Sequence, residues 1–207
     1  MLPADLDAHE LDGLEDHDSW REAALTGVAI GADAEHVDIA RSTLERVRLT
    51  AAHLRKLALT DVILRDCDLS GVVVEEGSLD RVAFVGCRCS GIDLGDARLV
   101  DVRFTDCQLD EAALRMVRAE RLVVEGGTAA RIDLYRASIV GSRWHDVDLT
   151  GADLSGARLE GARLHGATLA DLRGASALAR TVIDPEQTVA VGLALLADAG
   201  VVVDEDR

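Results

Sequence analysis

Four cysteines and a small set of histidines carry most of the chemistry this sequence could perform. Cys67, Cys87 and Cys107 recur at a spacing of twenty residues, and Cys89 follows Cys87 at two. Thiols repeated in this way could ligate a metal, but zinc sites are usually built from CxxC-type pairs, and Cys87-Arg88-Cys89 is not one. The plainer reading, small buried hydrophobes, is the stronger. Glu125, His145 and His165 share the same spacing. A surface divalent ion could bridge two imidazoles so placed, against the plainer reading of two solvated histidines on a strand face. Ser142 lies near His145-Asp146, but no third group orients them. Gly141, Gly151, Gly156, Gly161 and Gly166 recur as turn residues; a phosphate-binding GxGxxG would need a strand before it and a helix after. The sequence assigns no catalytic residue, no cofactor and no metal site, and the chain reads as a non-enzyme.

What positions these residues is a period of five. One unbroken frame runs Ile39, Leu44, Leu49, Leu54, Leu59, Leu64, Leu69, Val74, Leu79, Phe84, Cys89 and on to Leu169, and a mostly small residue stands two places before each, as in Ala97, Cys107, Ala137 and Ala152. No helix has this period. Residues two apart share one face of an extended segment, so both can point inward while the other three face out and turn a corner. Each pentapeptide is then one side of a polygon, and fixed-period self-similarity marks a solenoid.

Charge gives the number of sides. Residues one coil apart lie above one another at about 4.8 Å, and charges there should pair by opposite sign. At a separation of twenty, opposite-sign pairs clearly outnumber like-sign pairs; at fifteen they do not. The column Arg41–Asp61–Arg81–Asp101–Arg121 alternates throughout, and Arg46–Asp66, Arg48–Asp68–Arg88, Arg55–Glu75 and Lys56–Glu76 follow it. Four sides are expected, in nearly seven coils. Phe84 and Phe104, with Trp144 further along, should share one interior column.

The runs Ala-Asp-Leu-Ser-Gly (152–156), Ala-Arg-Leu-Glu-Gly (157–161) and Cys-Asp-Leu-Ser-Gly (67–71) resemble the A(D/N)LxG consensus of pentapeptide-repeat proteins. The resemblance implies an all-β fold: a right-handed quadrilateral β-helix with a C-terminal capping α-helix. Some members of that family are dimeric rods that imitate B-DNA and bind DNA gyrase, inhibiting it or protecting it from quinolones. This chain is similar to them in its uninterrupted coil, its acidity and its C-terminal Asp-x-x-Gln helix followed by Ala-Gly-Val-Val-Val.

A solenoid needs caps. Asp184-Pro185-Glu186-Gln187 reads as a helix start, with Asp184 as N-cap, Pro185 at N1 and Gln187 completing a capping box. Gly200 suits the stop. Val201–Val203 reads as a short strand. The helix is too apolar for a monomer's exterior, which makes Val189, Leu193 and Leu196 a candidate homodimer interface. The chain divides into an acidic, flexible segment over 1–18; a cap and irregular first coil over 19–36, with Trp20 plugging it and the frame shifting across 31–36; the repeat solenoid over 37–183; and helix, short strand and acidic tail over 184–207.

Formal net charge is −16 over 207 residues, which disfavours nucleic acid and anionic membranes as partners. Most of it lies at the ends, since arginines neutralise the coil. Glu75, Glu76, Asp93, Asp96, Asp110 and Glu111 gather near one corner as a candidate partner-binding patch, shorter than a duplex-like stripe. With no apolar run long enough to span a membrane and no secretory signal, the expectation is a cytoplasmic protein with reduced thiols. It reads as an interaction rod with a protein partner not named by the sequence; the alternative, from the resemblance, is a DNA-mimicking gyrase inhibitor or protector.

Overall fold

The computed structural model describes residues 14–29 and 33–203. Along each side of the coil the backbone is extended. At each corner, two residues after the central apolar position, it enters the left-handed region: Arg81 at φ 54°, Asp101 at φ 53°, Arg121 at φ 57°. A left-handed residue every fifth position turns an extended chain repeatedly in one sense, and the path closes after four sides. Most of these corners are not glycine, so each carries a small steric cost that the ladder and core offset. The result is a right-handed quadrilateral β-helix of about eight turns. That is one more than the repeats from Ile39 onward supply, because the chain before them already forms a coil.

All strand pairing is parallel, and through the body of the coil the register is twenty: Ile39 lies beneath Leu59, Leu59 beneath Leu79, Leu79 beneath Leu99, and Val124 beneath Trp144 beneath Leu164. Naming each side by its first central residue, the Ile39 and Leu44 faces share long strands such as Asp38–Glu45, Ala58–Arg65 and Ser78–Val85. On the Leu54 face Asp33–Glu35, His53–Arg55 and Val73–Glu75 make a separate small sheet. The core is one continuous column of aliphatic and small side chains. Its aromatics stack by layer: Phe84 lies on Phe104, and Trp144 enters the same column two layers on.

The register drops to nineteen at both ends. Trp20 lies beneath Ile39 and Leu25 beneath Leu44, while Leu164 lies beneath Ile183. The first coil also starts earlier than the flexible segment over 1–18 allowed. Leu14 is buried, and the His17 amide donates to Glu35 O. The reason is apolar: Leu14 covers the open end of the core. Residues 1–13 of that segment lie outside the described residues.

At the far end Gly174, at φ 69°, occupies the slot where the frame would place a central leucine. A Cβ there would come within 2.5 Å of Ser155 backbone, so the regular coil stops. A 3-10 turn over Ala175–Leu178 and the strand Val182–Ile183 follow, then a 3-10 turn over Pro185–Gln187 leading into α1, Thr188–Asp198. Buried Gln187 ties this cap down: its Nε2 donates to Leu164 O at 2.8 Å and Ala167 O at 2.5 Å, and its Oε1 accepts from the Asp184 amide at 2.7 Å. α1 ends at Gly200 (φ 75°), whose amide donates to Ala197 O while that of Val201 donates to Leu196 O, a Schellman closure. Val201–Val203 form no strand, contrary to the sequence reading. They follow the helix stop exposed, and among the described residues no strand pairs with them.

Candidate interaction surfaces

The groups with the most reactive chemistry are turned inward. Cys67, Cys87, Cys89 and Cys107 are all free and buried. Cys67 Sγ donates to Arg65 O at 3.3 Å and Cys87 Sγ to Val85 O at 3.5 Å. Hydrogen bonding to Cys87, with burial, pushes the Cys67 thiol well above the usual thiol range, and burial does the same at Cys89. A thiolate is the reactive form, so Cys67 and Cys89 are packing groups; hydrogen bonding with Cys87 lowers the Cys107 thiol instead, but that residue is buried as well. Ser142 is also interior, its Oγ accepting from Trp144 Nε1 at 2.9 Å. His145, three residues on, points outward to Asp146, with Nδ1 3.0 Å from Oδ2. The coil thus sends Ser142 and His145 to opposite sides of its wall, and the three residues assemble no triad. Among the described residues no group of three or more His, Cys, Asp or Glu could hold a metal ion.

What remains is surface. The charge columns stand where the twenty-residue register requires, but arginines choose partners by direction. Arg41 pairs with Glu22, Arg81 with Asp61, Arg121 with Asp101 and Arg131 with Glu111. Each of these four corner arginines reaches back to the acid one coil earlier. Arg98 and Arg103, one place before the central residue, reach forward to Glu120 and Glu125. Of the other expected columns, Arg55 pairs with Glu35 rather than Glu75, Arg46 with its neighbour Glu45, and Lys56 Nζ lies 3.2 Å from His36 Nε2. Arg48, Asp68 and Arg88 are vertical neighbours by backbone pairing.

This sorts the six acids of the candidate patch. Asp93 Oδ1 accepts from the Gly95 amide at 2.8 Å. Asp110 accepts from the Ala130 amide and Thr128 Oγ1, both at 2.9 Å. Glu111 is neutralised by Arg131. Glu75, Glu76 and Asp96 make no side-chain hydrogen bond or ion pair among the described residues, and all three are exposed. Glu76 and Asp96 occupy successive left-handed corners of the Leu54 face.

The sequence reading missed the acids that continue this side toward the N-terminus. Asp16, Asp33 and Glu35 line an open groove with His53, Arg55, Val73 and Glu75. Asp16 and Asp33 each give an oxygen to a backbone amide, of Glu35 and His53 respectively, and the Arg55 guanidinium holds the Glu35 carboxyl below its ordinary range. The signal was present in the register: Asp33 and Glu35 lie twenty residues before His53 and Arg55, and Asp16 follows nineteen residues before Glu35.

The second surface is the C-terminal end. α1 buries Val191 and Ala194 against the last coil. Val189 is left 73% exposed, Leu193 47% and Leu196 41%. Leu193 lines a shallow depression with Ala190, Ala194, Ala197, Val201 and Val203. Among the described residues no helix is long and apolar enough to cross a membrane.

Residues 37–114 match the family model described as a pentapeptide repeat region, and residues 130–166 match that of pentapeptide repeats in eight copies. No curated protein matches the sequence. Among solved structures, a trypsin-treated variant of QnrB1, a plasmid-mediated fluoroquinolone resistance protein, is 15% identical, covers 92% of this chain and 100% of its own, and has a TM-score of 0.49. HetL, involved in heterocyst differentiation regulation in the cyanobacterium Nostoc sp. strain PCC 7120, is 20% identical over 80% of this chain and 90% of its own, with a TM-score of 0.38. Rfr23 from the cyanobacterium Cyanothece 51142 is 16% identical over 78% and 91%, with a TM-score of 0.27. The two family models together take in more than half of the sequence, and their repeats are the pentapeptide sides of the coil described above: the chain belongs to the pentapeptide-repeat family.

Proposed function

We propose that this protein is a non-enzymatic interaction rod in the cytoplasm, and that it meets a protein partner along the acidic side of its N-terminal half. The observation that carries this is the unequal state of the carboxylates. Elsewhere on the coil most acids are paired with arginines or bound to backbone amides. At Glu75, Glu76 and Asp96 they are exposed and without partners among the described residues; Asp66, Asp106 and Asp171 are too, but at corners of other faces. Three unpaired charges on one face attract a basic protein surface and repel nucleic acid. Charge reversal, Glu75→Lys with Glu76→Lys, tests the reading by crosslinking and pull-down from the native cell. Partners that the wild-type rod captures and the reversed rod does not support it; identical sets contradict it.

A second reading is that the partner is DNA gyrase, met as a mimic of DNA. The exposed apolar end of α1 favours it, because joining two copies there would double the rod to very roughly 80 Å, comparable with a short duplex. Against it stands the charge density: a duplex carries about one charge per 1.7 Å, and the free acids here form a patch. A supercoiling assay with purified gyrase decides. Inhibition or quinolone protection at micromolar rod supports the mimic; neither effect removes it and leaves the interaction rod.

A further inference from the structure

Two pairs of histidines lie one coil apart, and among the described residues only one pair has its outer nitrogens free. His17 and His36 lie ring on ring, centroids 5.0 Å apart and planes at 9°. The Lys56 ammonium sits 3.2 Å from His36 Nε2, so that nitrogen is occupied, and by a cation. His145 and His165 are backbone neighbours in parallel register, both on the outside of the Leu44 face. Each presents Nδ1 to its own carboxylate: His145 to Asp146 at 3.0 Å and His165 to Asp184 at 2.7 Å. A neutral imidazole whose Nδ1 faces a carboxylate carries its proton there and leaves Nε2 as a lone-pair donor. A carboxylate behind a histidine that orients the ring and raises its basicity is the usual support of a metal-binding imidazole.

We propose that His145 and His165 form a binding site for a late first-row divalent cation such as Ni2+, Zn2+ or Cu2+, held by the two Nε2 atoms. Imidazole is a preferred ligand of these ions. With two protein donors, water completes the coordination, which places the affinity in the micromolar range rather than that of a closed structural site. Glu125, one coil below His145, does not join, because it is paired with Arg103 at 3.0 Å. Arg143 and Arg163, two residues before each histidine on the same strands, oppose a cation, and the Asp146 and Asp184 carboxylates offset them.

The place gives the site a structural consequence. Asp184 Oδ2 also accepts from the Gly166 amide at 2.6 Å, and Asp184 opens the turn that leads through Gln187 into α1. A metal across His145 and His165 therefore fastens two adjacent layers of the wall just before the final strand Val182–Ile183, beside the anchor of the apolar cap.

The test is calorimetric titration of the full chain with Ni2+ and Zn2+ at neutral pH, with His145→Ala, His165→Ala and His36→Ala in parallel. The expected result is one ion per chain, removable by EDTA, weakened about tenfold or more by either of the first two substitutions and unchanged by the third. Asp184→Asn, a change to a positioning residue, should weaken binding about tenfold. Histidine 15N NMR with Zn2+ should move the Nε2 resonances of His145 and His165 and leave their Nδ1 protonated. His36 and His145 are exposed, so His36→Ala and His145→Ala should keep the thermal midpoint of the apo rod, while His165→Ala, which removes a partner of Asp184, should lower it slightly. Absence of saturable binding, or binding that survives loss of both His145 and His165, overturns the proposal.

Discussion

Phe84 and Phe104 stack face to face, ring centroids 4.5 Å apart and planes 11° from parallel. They are twenty residues apart in the chain and one strand spacing apart in space. An interior built this way has little slack, since every side chain is bounded above and below by the residue at the same slot in the next layer. Phe104→Ala is expected to cost about 3–5 kcal/mol, measured by urea unfolding. Leu99→Asp should prevent folding, because Leu99 is fully buried and a charge there would have no partner. A folded, monodisperse Leu99→Asp rod would contradict the packing described.

A glycine with positive φ matters most where the neighbouring layer comes close. A Cβ on Gly127 would lie 2.1 Å from Cys107 O, whereas one on Gly141 would meet nothing within 4 Å. Both have positive φ, 78° and 67°. Gly141→Ala should therefore cost only the left-handed penalty, about 1–2 kcal/mol. Gly127→Ala should cost clearly more and loosen amide protection around residues 107 and 127, read by hydrogen exchange.

Acid should weaken the rod through a few named groups. The Arg81 guanidinium holds Asp61 below the usual carboxylate range, Arg121 does so for Asp101, and His165 followed by the Gly166 amide does so for Asp184. A carboxyl whose folded pKa is depressed contributes stability that is present above its unfolded value, about 3.9 for aspartate, and lost as pH falls through the folded value. The thermal midpoint should be flat with respect to these groups from pH 7 to about 5 and fall below about pH 4. Asp61→Asn with Asp101→Asn and Asp184→Asn should lower the neutral plateau slightly and flatten that acid limb. An unchanged acid limb would show that these pairs are not linked to folding.

If α1 joins two copies, Leu193→Glu with Leu196→Glu should halve the mass seen by light scattering while leaving the circular dichroism of the coil intact. An unchanged mass would show that the exposed end of α1 is not the contact.

Most of the coil was legible because each pentapeptide does one job. Inward slots must be apolar, so Ile39 to Leu169 announces the sides, and the alternating column from Arg41 to Arg121 announces how many sides close a turn. The ends were less legible, because one residue is dropped from the register there; Trp20 beneath Ile39 is a relation of nineteen. The acidic patch was half legible for a different reason. An aspartate just before the central residue turns back to bond the amide two residues on, as Asp93 does to Gly95, Asp148 to Thr150 and Asp153 to Ser155. The Asp of Ala-Asp-Leu-Ser-Gly is thus part of the turn, and composition counts it as surface charge. Glu75, Glu76 and Asp96 stand outside that position and stay free.

The twenty-residue register also makes length and orientation inseparable. Inserting one pentapeptide between residues 96 and 184 would leave every inward slot filled, yet swing α1 a quarter of a revolution about the long axis relative to Glu76 and Asp96. Only a whole lap of four restores the azimuth, so descendants of this chain can grow or shrink smoothly only in quanta of twenty.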